Sequence, residues 1–101
     1  MANYVYYKLS SPEIYTCQII KLVNALFDNY EEGTPYFSFD KIEMKPPYNF
    51  HIEFSFKNNE PAGFEDFLES LCVKYDFFLR GTYFSEYKSD KNEFIKFGKE
   101  K

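Results

Sequence analysis

The chain has 101 residues, which suits one domain with a single core and no disulfide or metal staples. Hydrophobic residues make up 45% of it, which excludes a disordered chain. A net charge of −4, with lysines scattered along the sequence, disfavours duplex DNA or RNA as a general partner, because affinity there rests on Lys and Arg neutralising phosphates.

Residues 4–9 (Tyr-Val-Tyr-Tyr-Lys-Leu) are aromatic and β-branched, hence a strand. Val5, Tyr7 and Leu9 form its better core face; Tyr4, Tyr6 and Lys8 form the other. Ser11-Pro12-Glu13 reads as a helix start, with Ser as N-cap, Pro in the first helical position and an acid in the first turn. Ile14, Ile19, Ile20, Leu22, Val23, Leu26, Phe27 and Tyr30 follow at helical spacing, and Gly33 supplies the left-handed residue that commonly ends a helix. Thr34-Pro35 leads into a second strand over 36–44, where Phe37 and Phe39 alternate with Ser38 and Asp40.

Pro46-Pro47 cannot sit inside a central strand and either ends the second strand or joins it to the third. Residues 50–56 (Phe-His-Ile-Glu-Phe-Ser-Phe) alternate with period two, the pattern of a strand buried on one face. Lys57-Asn58-Asn59 is a turn, and Glu60-Pro61 opens the second helix. Phe64, Phe67, Leu68, Leu71, Cys72 and Tyr75 give that helix one continuous apolar stripe, opposite Glu65, Asp66, Glu69, Ser70 and Lys74. Residues 77–87 read as a long strand in which Gly81 marks a bulge, a bend or a close backbone approach. Ser89-Asp90-Lys91-Asn92 is a polar turn, and Glu93–Phe97 is a short last strand that closes a hairpin.

The order along the chain is therefore β-α-β-β-α-β-β in a single domain over residues 1–101. It predicts an α+β sandwich, an antiparallel sheet with both helices on one face, in the split β-α-β, ferredoxin-like arrangement. Cys17 and Cys72 both lie in helical patterns and read as buried thiols of a reducing cytoplasm. One His and two isolated Cys lack zinc-ligand spacing, and neither a leader pattern nor a membrane-length apolar run is visible. The expectations are a cytoplasmic protein with no metal, no cofactor and no membrane partner.

The opening Met1-Ala2-Asn3-Tyr4 with Leu9, the run Phe39-Asp40-Lys41-Ile42-Glu43-Met44-Lys45-Pro46, and the strand-helix-strand pattern over 52–83 carry a resemblance. Together they resemble the YubB-like, ferredoxin-like family of plasmids, phages and other mobile elements. The resemblance implies a ferredoxin-like fold and a mobile-element origin, and no established chemistry. The family's Trp-rich segments have no counterpart in this Trp-free chain.

His51 is the lone histidine and shares a strand face with Glu53, so a general base oriented by a carboxylate is conceivable chemistry. No nucleophile with a recognisable turn and no Gly-rich phosphate loop accompanies the pair, and the expectation is that the protein is not an enzyme. Asp76, Glu86, Asp90, Glu93 and Glu100 could form an acidic patch with Glu31 and Glu32, or simply solvate the surface.

Aromatic residues make up 23% of the chain, from thirteen Phe and ten Tyr, against roughly a tenth in an average domain. Some rings must face outward, and exposed Tyr and Phe among acids resemble protein contact surfaces. Tyr4, Tyr6, His51, Glu53, Arg80, Phe84 and Glu86 are the candidate protein-binding residues. The expected function is stoichiometric binding of a host protein, in the form of a small acidic inhibitor of a defence factor such as an anti-CRISPR. A homodimer through the sheet face or an edge strand is a compatible use of the same rings. The alternative is single-stranded nucleic-acid or nucleotide binding through Tyr4, Tyr6, Phe78, Phe84 and Phe37 on the open sheet face.

Overall fold

Alternation along β1 (Tyr4–Ser11) sets the architecture: Val5, Tyr7, Leu9 and Ser11 are buried, while Tyr4, Tyr6, Lys8 and Ser10 are half-buried or exposed. The remaining elements are α1 (Thr16–Asn29), β2 (Phe37–Lys45), β3 (Asn49–Lys57), α2 (Phe64–Lys74), β4 (Leu79–Ser85) and β5 (Glu93–Phe97). The computed structural model describes residues 4–12, 14–30, 37–45, 49–57, 60–86 and 93–99.

The five strands form one sheet in the order β2-β3-β1-β4-β5, and every neighbouring pair is antiparallel. The first helix joins β1 to β2 across β3, and the second joins β3 to β4 across β1. The chain is thus α+β, with an antiparallel sheet and two helices. No described helix is long and apolar enough to cross a membrane.

One sheet face and both helices share a single core. Val5, Tyr7, Leu9, Phe50, Ile52, Phe54, Phe56, Leu79 and Phe97 meet Leu22 and Leu26 of α1 and Phe64, Leu68, Leu71 and Cys72 of α2. Phe64 is the hub of this core. Its ring centroid lies 4.7 Å from that of Phe56, 5.1 Å from Tyr30, 5.2 Å from Tyr7 and 5.7 Å from Phe54. These are tilted or edge-on contacts, which suit the ring quadrupoles better than face-to-face sandwiches.

The helices run antiparallel. Gln18 Nε2, in the first turn of α1, donates to the carbonyls of Tyr75 (2.9 Å) and Asp76 (3.1 Å) just past the end of α2. At the other end, the Tyr30 ring meets Phe64 and Phe67 in the first turn of α2.

Besides one-residue shifts in β2 and β3 and an end of β4 at Ser85, four boundaries differ from the sequence expectation. Ser11 is the last residue of β1, paired with Phe50, because the ladder with β3 outlasts the apolar run. The helix consequently starts later, at Thr16. Its N-cap, Tyr15, is extended and donates its N–H to the Gln18 side chain at 2.8 Å. Pro61 precedes α2 by a turn in which its carbonyl accepts the Phe64 N–H, and left-handed Gly63 is the N-cap.

The fourth boundary is the start of β4, at Leu79 rather than 77. Asp76 takes a left-handed φ of 56° and the Phe77 N–H donates to Cys72 O at 3.0 Å, which is a Schellman closure of α2. Those residues belong to the helix end, and Phe77 and Phe78 are buried ahead of the strand. At Gly81 the close-approach reading is the one realised. A Cβ there would overlap the Lys8 carbonyl, while the register runs unbroken through Gly81 on both sides.

The cysteines divide. Cys72 is buried and its thiol is pushed up to about 12, chiefly by burial. Cys17 is exposed, against expectation, because the buried residues of α1 are only Leu22 and Leu26 and Cys17 lies off that narrow stripe; neither thiol is in a disulfide. The expected helix stop at Gly33, the Pro46-Pro47 connection and the Ser89–Asn92 turn lie outside the described residues.

Candidate functional site

The second sheet face points away from both helices, and its residues fall into rows read across the strands. At one end Tyr4 is in register with Lys57, and Glu86 follows the end of β4. The next row runs Ser38, Ser55, Tyr6 and Phe84. Then come Lys41, Glu53, Lys8, Thr82 and Phe94, and at the far end Glu43, His51, Ser10, Arg80 and Lys96. All seven sequence-predicted residues lie on this face or at its margin. They form two groups rather than one.

The first group is aromatic. Tyr4 and Tyr6 have centroids 6.0 Å apart, and Tyr6 and Phe84 stack at 6.2 Å with their planes 28° apart. Glu86 brackets these rings. Its Oε1 accepts the Tyr4 N–H at 2.8 Å and the Tyr6 hydroxyl at 3.3 Å, and its own N–H donates to Tyr4 O at 3.0 Å. Partial burial and the Glu86 carboxylate push the Tyr6 hydroxyl above its ordinary range, so it stays a neutral donor. The rings are ordered by contacts within the chain itself.

The second group is polar. His51 Nε2 and Glu53 Oε2 are 2.7 Å apart, so the pair foreseen from their spacing is formed. On the neighbouring strand β2, Lys41 Nζ lies 3.1 Å from Glu43 Oε2. Ser10 Oγ donates to Arg80 O at 3.4 Å. Lys41, Glu43, His51, Ser10 and Arg80 line a cleft of about 470 Å³, backed by Pro12 and Phe50 where β1 leaves the sheet.

Two rings proposed for this face are elsewhere. Phe37 points into the core, 1% exposed, and Phe78 is buried before β4 begins. Of the acidic residues, the three described ones stand on separate elements: Asp76 closes α2, Glu86 sits by the start of β1 and Glu93 opens β5; Glu31, Glu32, Asp90 and Glu100 lie outside the described residues.

Lys41 and Glu43 were not foreseen, because a bulge moves them. The register of β2 slips between Phe39 and Lys41, so the odd positions that face the core before the slip face outward after it. Ile42 and Met44 take the core-side register instead, yet remain about half exposed (49% and 48%). Exposed Phe94, with Lys96 Nζ 5.6 Å from its ring centre, was also missed, although the alternation of β5 would have placed it beside the predicted rings.

The charges segregate. By register, Lys8, Lys41, Lys57, Arg80 and Lys96 stand on the open face against Glu43 and Glu53, with Glu86 at its margin. Glu60, Glu65, Asp66 and Glu69 stand on and before α2, against Lys74. Among the described residues, α2 and the turn before it are therefore acidic where the open face is basic. No protein-family model, no curated protein and no solved structure matches the chain.

Proposed function

We propose that this chain is a stoichiometric protein-binding module that docks through the ring-bearing end of its open sheet face. The observation that carries the reading is the Tyr4–Tyr6–Phe84 cluster, half-exposed and held by Glu86. Rings already ordered lose little side-chain entropy on association and make efficient anchors. The occupant is a folded protein presenting an apolar patch of similar size.

The finer form of this reading is a phage or mobile-element protein that inhibits a host defence factor in the cytoplasm, as an anti-CRISPR does. Its supports are the resemblance to the YubB-like family and the small size of the chain. A ferredoxin-like assignment of the fold, with β5 as an added edge strand, is supported by the order β2-β3-β1-β4 and by helices that each cross one strand.

The test is retention of a host protein from a bacterial lysate on the immobilised chain, wild type beside a Tyr6→Ala/Phe84→Ala double variant. One protein held at equal stoichiometry and lost in the variant is the expected result, since each anchor contributes about 2 kcal/mol or more. Equal retention by the variant overturns the reading. So does self-association of the wild type that the same variant abolishes, which would make this face a dimer interface.

Single-stranded nucleic acid is the second reading, favoured by the five basic residues of the open face, Lys8, Lys41, Lys57, Arg80 and Lys96, against Glu43, Glu53 and Glu86. Tight, salt-sensitive binding of short oligonucleotides that disappears with Tyr6→Ala would select it over protein binding.

A further inference from the structure

At the end of the face away from the rings, four strands contribute polar side chains to the cleft: Lys41 and Glu43 from β2, His51 from β3, Ser10 from β1 and Arg80 from β4. We propose that this cleft is a binding site for a phosphate monoester, a small phosphorylated ligand held by its terminal phosphate.

Three features converge on that chemistry. Lys41 and Arg80 arise from strands three spacings apart, about 14 Å, so their long side chains close from opposite sides on a ligand lying over Ser10 and His51. Two permanent cations face one lining carboxylate, Glu43, and Glu53 engages His51 from the next row. The lining thus carries one more permanent positive charge than negative and presents donors from several strands. That suits an anion with several acceptor oxygens, and a phosphate monoester has one more of these than a carboxylate. Pro12 and the buried Phe50 back the site, so a ligand is partly shielded from water there. A volume of about 470 Å³ admits a small organic phosphate.

Glu43 acts against this ligand. It holds Lys41 at 3.1 Å and adds a negative charge to the cleft wall. Its removal should therefore tighten binding, an outcome that a merely structural role for these side chains does not produce.

The experiment is an amide-resolved NMR titration of the full chain with phenyl phosphate, with benzoate as the carboxylate of the same ring. Saturable shifts confined to residues 10–11, 41–43, 51 and 80 are expected with phenyl phosphate. Arg80→Ala should weaken the binding about tenfold, the scale of one charge-assisted hydrogen bond, and Glu43→Gln should tighten it severalfold. Absence of saturation, benzoate binding as tightly as phenyl phosphate, or unchanged affinity in both variants would overturn the proposal. Tyr6→Ala lies outside the cleft and should leave phosphate binding intact, so loss of protein capture and loss of phosphate binding report separately.

Discussion

Tyr7 combines a closely packed ring with an unmet hydroxyl. Its fully buried ring packs on Phe54, Phe64 and Tyr83 at centroid distances of 5.1 to 5.2 Å. Its hydroxyl has no hydrogen-bond partner among the described residues. Burial, with the carboxylates of Glu60 and Glu65 nearby, holds that hydroxyl far above the ordinary tyrosine range. An unmet buried donor costs free energy, so Tyr7→Phe should leave stability unchanged or raise it by up to about 1 kcal/mol. Tyr83 is the matched control. Its hydroxyl lies 3.2 Å from Glu60 Oε2, and Tyr83→Phe should cost about 1 kcal/mol in urea denaturation.

Among the elements, the two helices depend on one glutamine. Gln18 caps α1 by accepting the Tyr15 N–H and ties α1 to the end of α2 through two donated bonds. Gln18→Ala should lower stability by about 1–2 kcal/mol. Gln18→Glu keeps the cap and loses both donations, so it should fall between wild type and Ala, as thermal or urea unfolding would resolve. The stripe of α2 was legible because Phe64, Leu68, Leu71 and Cys72 repeat at three and four and are all buried. Its end was not legible, because the left-handed residue of the closure is Asp76 rather than glycine. Helix starts were misplaced for a related reason. Proline marks where a helix can begin, but the ladder partner of Ser11 and the turn at Pro61 decide where it does.

For the whole molecule, the ionisation of buried phenols and a thiol predicts its alkaline limit. The Cys72 thiol is raised from 9.0, and the Tyr83 hydroxyl from 10.0, each to about 12 and each mainly by burial. The unfolded chain loses these protons from about pH 9 upward while the folded chain keeps them, so the folded state binds more protons in that window. Stability contributed by these groups is complete below pH 9 and is lost as pH rises towards 12. Urea midpoints should fall steadily across that range, and the fall should be shallower in Tyr83→Phe. A midpoint that stays level to pH 12 would show that these side chains are not desolvated as described.

The sequence by itself determined which residues alternate and which repeat, and hence the seven elements, their order and the two faces of β1 and β3. It also determined that Tyr4, Tyr6, His51, Glu53 and Phe84 would point away from the core, because a strand has a period of two whatever its neighbours are. Only the tertiary structure decided which strands became neighbours. That pairing separates the outward residues into a ring cluster bracketed by Glu86 and a polar cleft that joins Arg80 to His51. It also inserts the β2 bulge that turns Lys41 and Glu43 outward. Such choices depend on contacts between residues far apart in the chain, where local periodicity carries no information.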